Sequence, residues 1–437
     1  MQNRTFISIL KPSNFEPSKW TLMFLLLSSM LILMGGAAVA PALPLITEAF
    51  PDASEAVVSL IITLPSLAIA FSGLFIGSIS DRMGRLPVFS VSLLVFTIAG
   101  MSGFFLNSLV AILVGRFILG IGIAGITIST TALISDYYTG MTRTKVLGYQ
   151  GASMGMGVLI LEISGGYLAG ISWRLSFLIY LIGLVIFIGV LATMKEPVRE
   201  SGTMSNIPME NNQTKHSHKK AHITVAKPTP VLEIFTIYIT LFLSMVMFFL
   251  MPTKLPYLVT DILSTTGLAE TGGIFGNSAF ISGLYLGLMG FFSALVGVFY
   301  WRIAGKMHRT SILAMGYILL CAGFIILGFS YSLLTATIAV TIIGIANGFF
   351  VPSLLTWLIS IAPGRIVGKV MGGYSVSLNI GQFASSLLVV PVFALVGSYC
   401  GLFLAFSILS GLLGVLYLAA YLKTRLSLIS GSSPVKN

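Results

Sequence analysis

Twelve stretches of this chain are each about as long as a helix must be to cross a membrane, and only Arg116 and Glu162 stand well inside one as charges. The stretches run roughly over 21–43, 56–79, 87–106, 109–134, 146–170, 175–194, 231–252, 276–300, 310–330, 333–361, 366–393 and 400–422. The hydrocarbon core takes about 20 consecutive apolar residues of helix, because backbone polar groups in lipid must be satisfied within the segment itself. The apolar runs are continuous and do not alternate with period two, which fits helices and excludes a barrel. Hydrophobic residues make up 56% of the 437 and charged residues only 8%, against about 25% charged in a soluble domain. An all-α membrane protein follows.

Lys and Arg set the orientation. If both termini are cytoplasmic, the inner segments take Arg4, Lys11 and Lys19, then Arg82 and Arg85, then Arg143 and Lys145. They also take the basic residues from Lys195 to Lys227, then Arg302, Lys306, Arg309, Arg365, Lys369, Lys423, Arg425 and Lys436. Only Arg174 and Lys254 fall on the outer side, together with the acids Glu48, Asp52, Glu55, Asp261 and Glu270. That is the positive-inside asymmetry. The net charge of +11 therefore reflects topology, and no nucleic-acid partner is expected.

Polar residues concentrate at 195–230, dividing the chain into a six-helix bundle at 1–194, a cytoplasmic linker, and a second six-helix bundle at 231–437 with a short tail. The linker histidines His216, His218 and His222 read as solvated, so no metal site is expected. The halves look like repeats: Gly148 and Gly157 recur as Gly372 and Gly381, and Gly120 recurs as Gly344, each 224 residues on. The stretch from Gly77 maps on that from Gly297, with Trp301 in place of Asp81. Parallel repeats around a midplane site are a transporter plan. Glycines of the fifth span (Gly148, Gly151, Gly155, Gly157) and the eighth (Gly283, Gly287, Gly290, Gly297) allow close backbone approach. They fit a sliding seam between the halves, or tight packing within one.

A charge inside the membrane costs roughly 2.5–3.5 kcal/mol on insertion scales and marks a functional position by default. Arg116 on the fourth span and Glu162 on the fifth fall roughly 10–12 Å below the same surface, at 1.5 Å per residue. They are expected to meet. Ionised Glu162 would pair with Arg116 and protonation would free the guanidinium, giving a proton switch; a static salt bridge is the alternative. The midplane polar residues of the second half are Asn347, Asn379 and Gln382, and with Phe248 and Met245 they are candidates to line a substrate cavity. Interhelical hydrogen bonding is their other use.

Three motifs resemble signatures of the major facilitator superfamily. Gly77, Asp81, Arg82, Gly84 and Arg85 match its loop pattern G-x-x-x-D-R-x-G-R-[RK], with Leu86 where a second basic residue is common. Arg116-x3-Gly120-x-Gly122 resembles the fourth-span motif whose Arg is linked to proton coupling. Gly148, Gly157, Gly165 and Gly166 match the antiporter pattern G-x8-G-x3-G-P-x2-G-G, with Leu161-Glu162 in place of the central G-P. The resemblance implies the two-bundle facilitator fold and a conformational latch in which Asp136 pairs with Arg82 or Arg85 while Asp81 faces the start of the eleventh helix. It also implies proton-driven export of a small amphipathic compound across the cell membrane, by a monomer without cofactor. A proton-linked carrier of a defined metabolite, exporting or importing, is the alternative. No nucleophile–base pair or nucleotide loop argues for an enzyme or for ATP drive.

Overall fold

In the computed structural model, which describes residues 17–197, 230–268, 273, 276–363 and 366–429, the apolar runs become long helices. The chain passes through α1 (Lys19–Leu31), α2 (Met34–Ala37), α3 (Leu43–Ala49), α4 (Glu55–Met83), α5 (Arg85–Phe105), α6 (Leu109–Tyr137) and α7 (Gly140–Ile171). A 3-10 segment, Trp173–Leu181, then leads into α8 (Ile182–Thr193). After the linker come α9 (Val231–Thr265), α10 (Ser278–Ala304), α11 (Arg309–Gly328), α12 (Leu333–Ile361), α13 (Val367–Val396) and α14 (Tyr399–Ile429). Eleven of these segments are long and apolar enough to span a membrane, and the bent α1–α3 segment makes twelve if counted as one. No strand occurs among the described residues. Linker residues 198–229, with their histidines, lie outside them.

Two spans depart from the expected runs for identifiable reasons. The first bends by 58° at a stretch holding Gly35-Gly36, Pro41 and Pro44. Glycine weakens helix, and proline removes a backbone donor. The Tyr180 hydroxyl donates to the carbonyls of Met34 (3.2 Å) and Gly35 (3.3 Å) at that break. The seventh span was expected to end at residue 252, but α9 continues to Thr265 past Pro252, Lys254 and Pro256. The charge that interrupts the apolar run is neutralised there, since Lys254 Nζ lies 2.8 Å from Glu55 Oε2.

Helices up to α8 pack mainly among themselves, as do those from α9 onward. Two broad contacts cross between the groups, α7 with α10 and α4 with α13. The α7–α10 contact is the glycine seam. A Cβ on Gly166 would lie 2.5 Å from the Ala279 carbonyl oxygen, and one on Gly283 would lie 2.4 Å from that of Glu162. Gly155 and Gly290 are packed as tightly, against Ala294 and Val158. Toward the end of the molecule that carries Arg85 the seam lapses. Gly151, Gly148 and Gly297 meet nothing within 4 Å, and neither do Gly73 and Gly77 on α4 or Gly368 and Gly372 on α13. The halves thus touch at the Glu55 end and part toward the Arg85 end.

This gradient makes a prediction about stability. Gly283→Ala should lower the thermal unfolding temperature in detergent, since overpacking against backbone costs about 1–3 kcal/mol. Gly148→Ala should leave that temperature unchanged or raise it, because open space surrounds the position and Ala favours helix. Equal effects at the two sites would show that the seam does not close as described.

Candidate functional site

Between the two groups of helices lies a cavity of about 370 Å³, lined from the first span's break and from α4, α7, α9, α10 and α13. Its wall is chiefly aliphatic, with Phe248 and Phe249 from α9 as its aromatic surface and Gly35 and Gly36 contributing backbone. Ser66 and Gln382 bring polar groups from opposite halves, and the serine hydroxyl donates to the Gln382 amide oxygen at 2.7 Å. Glu162 is the cavity's one ionisable side chain. It is only 4% exposed, and its buried Oε2 has no hydrogen-bond partner.

Arg116 and Glu162 do not form an ion pair, so the expected direct contact is corrected. Arg116 is 1% exposed, with two of its three nitrogens paired on its own side of the bundle and Nε buried without a hydrogen-bond partner. Nη1 donates to the Tyr180 hydroxyl at 2.8 Å and Nη2 to the Gly100 carbonyl at 3.2 Å. The guanidinium carbon sits 4.5 Å from the Phe177 ring centroid and 4.8 Å from that of Tyr180. Such contacts stabilise a desolvated cation. Room for the two rings comes from α5, where a Cβ on Gly100 would lie 2.4 Å from Tyr180 and one on Gly103 would lie 2.0 Å from Phe177. Arg116 and Glu162 are both within electrostatic reach of the Tyr180 phenol.

At the basic end, Arg85 Nε and Asp136 Oδ2 are 2.9 Å apart, which brings together one of the two pairs the motif suggested. The sequence reading missed Glu196. Its carboxylate accepts the backbone N–H of Arg85 (2.8 Å) and of Leu86 (2.7 Å), capping the first turn of α5, where an anion is favoured by the free N–H groups and the helix dipole. Gly84 makes the corner at φ +102°, a backbone state that favours glycine. Beside it, the Tyr137 hydroxyl donates to the Lys195 carbonyl. Asp81 and Arg82 are exposed on the last turn of α4.

The opposite end is tied by a cluster that the sequence reading also missed. Glu55, at the start of α4, receives Lys254 Nζ on Oε2 and the Tyr399 hydroxyl on Oε1 at 2.6 Å. Thr47 and Tyr257 hydroxyls are 2.7 Å apart, and the Tyr257 and Tyr399 rings stack at 5.7 Å. Lys254 is 4% exposed. The only signal available was a lysine closely followed by Pro256 near the end of an apolar run.

Of the residues expected to line the cavity, Gln382 and Phe248 do so. Met245 stands behind Gln382, whose amide nitrogen is 4.0 Å from its sulfur. Asn379 donates to the Ser375 carbonyl of its own helix, and Asn347 is buried in α12 with both amide atoms unpartnered. These three are not among the lining residues. Depth along a helix was readable from the sequence; the direction each side chain takes around it was not.

Comparison with known proteins adds the family context. The model of the Major Facilitator Superfamily matches residues 25–284. The tetracycline resistance protein, class B, of Escherichia coli is 27% identical over 310 residues, covering 70% of this chain and 71% of that protein. The 4-hydroxybenzoate transporter PcaK of Acinetobacter baylyi is 24% identical over 307 residues, 60% of this chain and 66% of that protein. Among solved structures, a bacterial homologue of the human lysosomal transporter Spinster, inward-facing and occupied, superposes with a TM-score of 0.68 at 17% identity over 92% of this chain and 97% of that one.

Two predictions follow from the geometry. Tyr180→Phe removes an acceptor from a buried guanidinium and should cost about 1.5–3 kcal/mol in thermal or chemical unfolding. Glu162→Gln should cost much less, because no ion pair is broken; a larger loss for Glu162→Gln would mean that Arg116 and Glu162 pair after all. At the far end, Glu55→Gln should lengthen the distance between spin labels at Asp52 and Thr266, in a background carrying Cys321→Ser and Cys400→Ser. An unchanged distance would show that Glu55 does not hold that end shut.

Proposed function

The chain belongs to the Major Facilitator Superfamily, and on that premise we propose that it is a proton-driven exporter of a small amphipathic compound. It is a multi-pass membrane transporter and not an enzyme. In the proposed reading both termini and the linker are cytoplasmic, residues 1–194 and 231–437 form the two rocking bundles, and the monomer works in the cell membrane without a cofactor. The basic end is then the inner one. The parting of the helices there supports an inward-facing state.

The observation that carries the proposal is Glu162, a buried carboxyl with an unpartnered oxygen in a cavity between the halves. A lone buried carboxylate is too costly to keep without a partner, so the side chain is suited to bind and release a proton. Glu162 takes a proton when the cavity faces outward and gives it up when the cavity faces inward and substrate enters. Arg116, held by Tyr180 and Phe177, keeps a positive charge at a fixed remove from that step. Asp81, Arg82, Gly84, Arg85 and Asp136 form the latch of the outward-facing state, with the Arg85–Asp136 pair bracing the turn in the inward-facing one.

The similarity to the class B tetracycline resistance protein favours export, and that to the 4-hydroxybenzoate transporter keeps a proton-linked metabolite carrier as the second reading. Substrates come from comparing compounds inside and outside cells with and without the protein. In proteoliposomes, adding such a compound should drive proton movement read by a pH-sensitive dye, and Glu162→Gln should abolish it. Retained proton movement in the Gln variant would remove Glu162 from the coupling step.

A further inference from the structure

We infer that the central cavity takes a compact aromatic monocation, its charged group against Glu162 and its ring against Phe248 and Phe249. The inference rests on the reading of this cavity as the transport site and adds to it the sign of the substrate's charge.

The sign follows from which charges reach the cavity. Glu162 is its only ionisable lining residue, and no Lys, Arg or His lines it. The nearby cation, Arg116, is withdrawn: two of its nitrogens donate to Tyr180 and Gly100, two rings cover it, and it is 1% exposed. Lys254 is held by Glu55 at the end of the molecule. An anion entering the cavity would meet a carboxyl and no positive group. A neutral donor hydrogen-bonds the Glu162 carboxyl but leaves its ionised form with an uncompensated charge. A cation satisfies it, and a buried charge is tolerated when paired and is costly when alone.

The shape of the occupant follows from the rest of the wall. Phe248 and Phe249 meet edge to face, with centroids 5.7 Å apart, and line the cavity on the α9 side. Aromatic faces attract organic cations as well as rings. About 370 Å³ lies at the small end of the range for drug-sized ligands, which favours one or two rings over a long chain. Ser293 and Gln382 offer the remaining polar handles, the Gln382 oxygen taking Ser66 while its amide nitrogen has only the distant Met245 sulfur.

Phenyltrimethylammonium and benzenesulfonate each carry one ring and have opposite charges, so they test the sign directly. Equilibrium dialysis of each against the purified full-length protein, with empty micelles as control, should show the cation bound about tenfold tighter or more. Glu162→Gln should erase that preference and Glu162→Asp should keep it. The double change Phe248→Leu with Phe249→Leu should weaken cation binding several-fold at unchanged thermal stability, which tests the site even if Glu162→Gln does not fold. Equal binding of the two ions, or a cation preference that survives Glu162→Gln, overturns the inference. Dialysis needs no gradient, so the outcomes separate. Proton movement without cation preference sinks only this inference, whereas cation preference without proton movement sinks only the coupling proposed above.

Discussion

The centre of this protein depends on how one guanidinium is satisfied. Arg116 is fully buried, and a charge in that position requires either a carboxylate or a shell of neutral partners. The chain supplies neutral partners for two of its nitrogens, a phenol oxygen and a backbone carbonyl, and covers it with two aromatic faces, while Nε has no hydrogen-bond partner. That choice propagates. Gly100 and Gly103 must lack side chains to admit the rings, and the Tyr180 hydroxyl, having accepted from Arg116, donates to the carbonyls freed at the bend of the first span. The bend, the packing of α5 and the position of Arg116 are one arrangement. Glu162 is left outside it, and so remains available to whatever enters the cavity.

The two ends of the molecule are held by different physics. At the Glu55 end, polar groups reach across between the halves, with one carboxylate taking a lysine and a tyrosine and a threonine meeting a second tyrosine. At the Arg85 end, two ties lie within the first half: Arg85 with Asp136, and Glu196 with the start of α5. The first set must break if the halves rock apart there, while the second can travel as part of a rigid body. Glycines on α7 and α10 are buried at one end of the seam and open at the other, so the surfaces needed to close the Arg85 end are small and already smooth.

Much of this was legible in the sequence, for reasons that can be named. The spans were readable because lipid demands about 20 apolar residues at a time, while the resemblance offered Asp136 either Arg82 or Arg85 and the structure pairs it with Arg85. The seam was readable from glycine spacing, although only the structure decides that it joins the two halves. The partners of Arg116 were not readable, since tyrosine and phenylalanine in an apolar run carry no mark that distinguishes a cage from packing. Glu196 and the Glu55–Lys254 pair were missed because their contacts join segments separated by 110 residues or more. Asn347 and Asn379 were expected in the cavity on depth alone, and the rotation of α12 and α13 turns them elsewhere.

Leu161-Glu162 stands where the resembling pattern has glycine and proline, and that departure locates charge and movement in the same residue. The Glu162 carbonyl lies at a close approach of the halves, where a Cβ on Gly283 would be 2.4 Å away. Its carboxyl meanwhile lines the cavity. A proline would bend the helix there and remove one backbone donor, whereas glutamate lets α7 run unbroken from Gly140 to Ile171. Any change in how the carboxyl is satisfied therefore acts within one residue of the surface on which the halves meet. A ligand shifts a conformational equilibrium only by its differential affinity for the two states. A group attached directly to this surface is well placed to feel that difference, because a small rotation of α7 against α10 alters what surrounds the carboxyl before it alters anything more distant.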